Sequence, residues 1–203
     1  MTSRTVILNA ALRALGEPPM VGPDDTTSSV QRVSEAYVDA VPSLLARHPW
    51  NFAMAVVQLS GTTDAKPGWL YAYPKPADCL RIVRVSMTDQ PDDVGLRYVD
   101  SAGEVLTDQL NPYLRYVSDT WIDRLGSWPT LFQDAVVAQV AADAGPVLSK
   151  GEGALERLRR DAKDAMRQAK SWDAQQQPNY QLPPGRFIRV RTGRGWGSDY
   201  GPY

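Results

Sequence analysis

The feature that most constrains the fold is the hexapeptide HPWNFA, residues 48–53, which contains the only histidine of the chain. In residues 28–47, just before it, apolar side chains recur at helical spacing. Pro49 ends this helix, because the residue before a proline is pushed out of the helical region. Trp50 and Phe52 then follow with a spacing of two, as on one face of a strand. We therefore expect a long helix to end here and β-structure to begin.

Helical patterns flank this point on both sides. The first predicted helix is capped by Ser3 or Thr2 and ends at Gly16. The second covers 28–47, with a kink at Pro42. The third covers 131–144 and the fourth 152–172. The third is apolar nearly all round, which predicts that it is the most buried helix.

Between Trp50 and Ser127 the pattern changes to short apolar or alternating runs separated by turn residues. The runs are FAMAVVQL, WLYAY, CLRIVRVSM, LRYVD, GEVL and YLRYVSD. The predicted fold class is α+β, mainly α. A four-helix bundle is formed by residues 1–49 and 128–173, a small antiparallel β-domain over 50–127 is inserted between helices 2 and 3, and residues 174–203 form an extended C-terminal arm.

The composition of the arm indicates a docking segment. Five Gly and four Pro among its 30 residues are too many for a segment that folds alone. It carries four Arg and one Asp, whereas the rest of the chain carries 18 Lys and Arg against 22 Asp and Glu. Residues 186–191 alternate Arg with apolar residues, which favours a strand added to a partner's sheet over nucleic-acid contact through Arg and aromatic side chains.

The sequence gives little support for a catalytic or metal-binding site. With one cysteine, Cys79, and one histidine, an intramolecular disulfide is excluded and a dedicated zinc site is not expected. Phosphate-binding and serine-elbow motifs are missing from the sequence. A His48–Cys79 dyad is conceivable, but both residues lie in apolar surroundings typical of core positions. The loop acids, Asp24, Asp25, Asp92 and Asp93, are typical of turns rather than of a glycosidase pair.

These observations predict a protein that is not an enzyme and needs no cofactor or metal. The N-terminal apolar run is broken by Asn9 and Arg13, so neither a signal peptide nor a membrane span is expected. The lone cysteine fits assembly in a reducing cytoplasm.

Four segments of the sequence, in this order, resemble one known family. They are ILNAALRALGE, LLARHPWNFA, WLYAYPKPADCLRI and WPTLFQDAVVAQVAADA. Together they look like the head-to-tail adaptor family of short-tailed double-stranded DNA phages, also called tail tubular protein A. The resemblance covers about residues 5–173, and HPWNFA and YPKPADCLRI are its most distinctive parts.

The resemblance implies a virion structural protein, assembled in the host cytoplasm and located at the portal vertex. Family members form a ring, usually of twelve copies, that joins the portal to the tail nozzle and lines the channel through which DNA passes without sequence-specific binding. Their C-terminal segment reaches the portal. The arm itself matches no motif of the family; from its position and composition, the residues expected to contact the portal or a neighbouring subunit are Arg186, Phe187, Ile188, Arg189, Arg191, Arg194, Trp196 and Tyr200.

Two other functions stay open at this point. One is a tail-associated hydrolase of the cell envelope, which would need two facing carboxylates in one cleft. The other is a connector whose basic arm grips the end of the genome.

Overall fold

A computed structural model describes residues 3–22, 25–64, 66–90, 93–148 and 151–176. The helices in this part of the chain are α1 (Arg4–Leu15), α2 (Ser28–Ala46), α3 (Thr130–Ala144) and α4 (Glu152–Gln175). The strands are β1 (Met54–Gln58), β2 (Tyr71–Pro74), β3 (Cys79–Ser86), β4 (Tyr98–Ser101), β5 (Glu104–Thr107) and β6 (Tyr113–Ser118). Short 3₁₀ turns lie at Asn51–Ala53, Asp119–Trp121 and Leu125–Ser127.

The ends of the helices follow local chemistry. Gly16 ends α1 in the left-handed conformation, with φ 71°; its N–H donates to the carbonyl of Arg13 at 3.0 Å, and the N–H of Glu17 donates to the carbonyl of Leu12 at 2.9 Å. Glycine adopts this conformation without the steric cost of a Cβ. Pro42 lies inside α2, and α2 ends at Ala46, ahead of Pro49, as the sequence predicts.

Helix α3 is the centre of the helical layer, since α1, α2 and α4 all pack against it. Seven of its residues are buried, among them Phe132, Val136 and Val140. The approach of α4 is close at Gly145, where an added Cβ would lie 3.0 Å from a methyl of Leu155. The uniform apolar character of this helix in the sequence is therefore explained by neighbours on several sides.

The strands form two antiparallel sheets of three strands each. The first sheet has the order β1-β6-β3 and the second sheet the order β2-β5-β4. Strands β4 and β5 are joined by Ala102 and Gly103, whose φ angles of 50° and 84° fit a tight hairpin turn. All six strands lie between α2 and α3 in the chain.

Two hydrophobic clusters organise the interior. The large cluster combines buried residues of all four helices with Trp50, Ala53, Trp128 and Val117, the last from β6. Met54, Leu80 and Val83 of the first sheet pack against it. The small cluster consists of Leu59, Tyr73, Val85, Val105, Leu114 and Tyr116 and links the two sheets.

The predicted fold class, a mainly α four-helix bundle carrying a small β-domain, is therefore wrong. Two sheets of three strands are present, and the first contributes Val117 to the same core as the helices. Periodicity locates a strand along the chain, but the partner that covers each face depends on contacts between distant segments. Helix α4 also continues to Gln175, past the predicted start of the arm at 174.

Candidate functional site

The HPWNFA segment forms a corner between α2 and β1, and this corner (residues 48–53) is where distant parts of the chain meet. The backbone N–H of Trp50 donates to the carbonyl of His48 at 2.9 Å, and a 3₁₀ turn over Asn51–Ala53 leads into β1. The predicted helix stop at Pro49 is confirmed. The predicted strand over Trp50 and Phe52 is wrong, because both residues precede the strand and face the helices instead.

Aromatic packing fixes the corner on α3. Trp50 is 1% exposed, and its indole N–H donates to the carbonyl of Leu44 at 3.0 Å. The ring centroid of Phe132 in α3 lies 4.8 Å from that of Trp50, 5.0 Å from that of Phe52 and 5.1 Å from that of Trp128. Contacts of this kind stabilise beyond the area they bury.

Asp173, near the end of α4, completes the corner. It is 3% exposed, and its Oδ1 accepts the backbone N–H of Asn51 at 3.0 Å. Its Oδ2 lies 3.1 Å from Nε2 of His48, and its own carbonyl accepts the side-chain amide of Asn51 at 2.7 Å. The last turn of α4 is thus tied to the corner at the point where the predicted arm begins.

Sequence reasoning missed Asp173, although a signal was present. It lies four residues after Ala169, in line with Leu158 and Ala162 on the buried stripe of α4. A carboxylate at a core position of a helix needs a buried partner, since an unpaired charge there is costly. His48 and Asn51, two residues of the conspicuous hexapeptide, are that partner.

Burial keeps the His48 side chain neutral near neutral pH. Burial lowers the pKa of His48 below its ordinary value of 6.5, and the cations of Lys170 and Arg81 lower it further. Asp173 opposes this shift through its charge and its hydrogen bond, but burial prevails. In the described residues, the His48 side chain hydrogen-bonds to Asp173 and packs edge-on against Trp50 at 4.7 Å. This geometry gives the histidine a structural role, in which it stabilises the corner.

Cys79 lies elsewhere, at the start of β3, where it packs against the small cluster. Burial raises the pKa of its thiol to about 11, so the nucleophilic thiolate is scarce at neutral pH. In the described residues His48 bonds to Asp173 and packs on Trp50 of the large cluster, whereas Cys79 packs against the small cluster, so the two side chains do not form a dyad.

The loop acids in the described residues hold turns. Asp25 accepts hydrogen bonds from Thr27 and from the N–H of Val21, and these bonds, that of the Thr27 side chain above all, lower its pKa. Asp93 accepts from the N–H and hydroxyl of Thr88, with the same effect on its pKa. Asp24 and Asp92 lie outside the described residues.

A second surface feature is a groove between α3 and α4, here called the basic groove. Its rim carries cations of α4 and of the residue after α2, and its floor is formed by small and apolar residues. The lining residues are Arg47, Gln139, Ala142, Asp143, Pro146, Arg159, Ala162, Lys163, Met166, Arg167 and Lys170. The sequence signal for it is the cation spacing of four, four and three from Arg159 to Lys170.

The predicted partner-binding residues of the arm, Arg186 to Tyr200, lie outside the described residues, so their contacts stay a prediction. Within the described part of the chain, no group of three or more His, Cys, Asp or Glu could hold a metal ion.

None of the four helices in the described residues is both long enough and apolar enough to cross a lipid bilayer. Comparison of the sequence with models of protein families and with curated proteins finds no match.

Proposed function

We propose that the protein is a virion structural protein, a head-to-tail adaptor that forms a ring between the portal and the tail nozzle of a short-tailed phage. The observation that carries the proposal is the ordered series of four segments that resemble this family. Three of them, α1, the corner and α3, contribute to the large cluster through residues such as Leu12, Trp50 and Phe132. The resemblance therefore falls on positions that build the protein's core.

The fourth segment, around YPKPADCLRI, contacts the same region. Leu80 packs against the large cluster, and the guanidinium of Arg81 donates to the carbonyl of Ala46 at 3.3 Å, at the end of α2. Segments more than 30 residues apart along the chain thus meet around the corner. Shared short motifs that converge in space are expected of a common fold, because each depends on the others for burial.

In this proposal the arm contacts the portal. The bonds between Asp173 and Asn51 fix the point at which the chain leaves α4. The 27 residues after Gln176 span at most about 90 Å when extended, enough to reach a neighbouring ring. Arg186, Arg189, Arg191 and Arg194 supply charge pairs, and Phe187, Ile188, Trp196 and Tyr200 supply apolar anchors.

DNA passes through the ring without being held. Cations that bind phosphates would slow ejection, so the channel wall should be neutral or acidic. The excess of acidic residues outside the arm is compatible with such a wall.

The test is co-sedimentation with portal rings of the same virus. Wild-type protein should pellet with the rings in a fixed ratio, and the full-length variant Arg189→Glu/Arg191→Glu should stay in the supernatant. The variant Arg157→Glu/Arg160→Glu, with the same charge change on the exposed face of α4, is the control and should pellet like the wild type. Failure of the wild type to bind would contradict the proposal, and hydrolysis of cell-envelope material should then be assayed.

A further inference from the structure

The basic groove has a composition that suits one kind of occupant. Arg159, Lys163 and Arg167 are exposed on one side of α4, while Ala162 and Met166 between them are buried or half-buried. Arg167 has an acidic neighbour at 3.2 Å, Asp164, but this pair is exposed and costs little to exchange. From Arg159 to Arg167 the groove therefore offers cations above an apolar floor over slightly more than two helical turns.

The exposed face of α2 has the complementary composition. A shallow hollow on this helix is lined by Gln31, Ser34, Glu35, Val38 and Asp39. Val38 is 57% exposed and lies between the carboxylates of Glu35 and Asp39 in this lining. The local cations are Arg32, paired with Glu35 at 3.0 Å, and Arg4, which bonds the hydroxyl of Ser34 at 2.7 Å.

The two surfaces match in spacing as well as in charge. On α2 an acid, a valine and an acid stand at 35, 38 and 39; on α4 a base, a methionine and a base stand at 163, 166 and 167. When the two helices pack antiparallel with Val38 on Met166, the acids of one helix and the bases of the other lie on the same flank of that contact, with Glu35 next to Arg167 and Asp39 next to Lys163.

We infer that the basic groove of one copy receives the acidic face of α2 from a second copy of this chain. Val38 packs on Met166, and Glu35 and Asp39 face the cations at 163 and 167. Nucleic acid fits the groove less well, because Asp143 lies in its lining, its floor is apolar, and none of the described residues that line it is aromatic and available for base stacking. The inference names the contact between neighbours that the proposed ring requires; its place in the virion rests on the proposed function, but its test does not.

The test uses two full-length charge-reversed variants. One is Glu35→Lys/Asp39→Lys, and the other is Lys163→Glu/Arg167→Glu. Each variant alone brings like charges together at the contact, whereas a one-to-one mixture restores opposite charges between copies. Arg157→Glu/Arg160→Glu, on α4 but outside the lining of the groove, is the matched control.

Self-association is measured by sedimentation equilibrium from micromolar to millimolar protein at low salt. Each reversed variant should associate about tenfold or more weakly than the wild type, and the mixture and the control should associate like the wild type. Recovery in the mixture also shows that both variants are folded. The inference is overturned if the wild type stays monomeric throughout, if either reversed variant associates like the wild type, or if the mixture does not recover.

Two further readouts separate this surface from other roles. Binding to portal rings should be retained by the wild type whether or not the copies associate in solution, so failure of the inference leaves the adaptor proposal intact. Binding to a DNA duplex, followed by fluorescence anisotropy, should be unchanged by Lys163→Glu/Arg167→Glu. Loss of DNA binding in that variant, with self-association unchanged, would assign the groove to nucleic acid and overturn the inference.

Discussion

The large and small clusters are held together in different ways. The large cluster packs three aromatic rings around Phe132, two of them buried, and buries apolar residues of four helices, so its stability comes mainly from burial. The small cluster has six buried residues, and hydroxyl groups at its edge are fixed by hydrogen bonds. The hydroxyl of Tyr73 donates to the carbonyl of Gln109 at 3.2 Å and accepts the N–H of Asn111 at 2.8 Å. Where little area is buried, directional bonds set the geometry.

The largest expected effect is in the large cluster, for Trp50→Ala. This change removes ring contacts to Phe132 and the bond to the carbonyl of Leu44, and should lower the free energy of unfolding by about 3–5 kcal/mol. Urea denaturation followed by circular dichroism measures it. Trp50→Phe keeps an aromatic ring and should lower the free energy of unfolding clearly less. If both variants lower it equally, packing of an aromatic ring at position 50 is not what stabilises the cluster.

A smaller loss is expected in the small cluster, for Leu114→Ala. Leu114 is fully buried where β6 faces β1 and β3, and its truncation should cost about 2–4 kcal/mol. The same urea experiment measures it, with the half-exposed Val57 of β1, changed to Ala, as a control that should cost little. If Leu114→Ala lowers the free energy of unfolding as much as Trp50→Ala does, the small cluster depends on burial as much as the large cluster.

Much of the element order could be predicted from the sequence, because helix periodicity and turn residues are local signals. The stop of α2 before Pro49, the end of α1 at Gly16 and the turn that follows the run LRYVD, at Ala102 and Gly103, are examples. The predicted fold class failed because patterning does not reveal what covers a strand. The face of β6 that carries Val117 looks like any strand face, yet the helices bury it.

The candidate site was only half predictable for the same reason. The unusual hexapeptide marks the corner, but its polar partner, Asp173, is more than 120 residues away in the chain. Periodicity assigns that position to the buried stripe of α4, and only the fold shows that a histidine and a backbone N–H meet it there.

Hydrogen bonding at the edge of the small cluster can be tested through Asp78. Its carboxylate accepts the hydroxyls of Tyr116, at 3.1 Å, and of Ser118, at 2.7 Å. Burial, aided by the bond to Asp78, raises the pKa of Tyr116 to about 12. Asp78→Asn should lower that pKa while leaving it above the ordinary 10.0, and should cost about 1–2 kcal/mol of stability. Ultraviolet titration of tyrosinate, with Tyr116→Phe to identify the signal, checks both the direction and the assignment; an unchanged titration would contradict the contribution of Asp78.

The smallest effect concerns protonation at the corner, which links the large cluster to the root of the arm. Because the folded-state pKa of His48 lies below 6.5, the unfolded chain takes up a proton first as the pH falls. The contribution to stability is complete above about pH 6.5 and should decrease as the pH falls toward the folded-state pKa. With a single histidine in the chain, NMR titration of its ring proton reports this pKa directly.

Asp173→Asn removes the charge that favours the imidazolium and should lower the midpoint further, whereas Asp164→Asn, on the same helix and paired with Arg167, should leave it unchanged. A wild-type midpoint above 6.5 would mean that Asp173 outweighs burial, and the corner would then gain stability in acid instead of losing it.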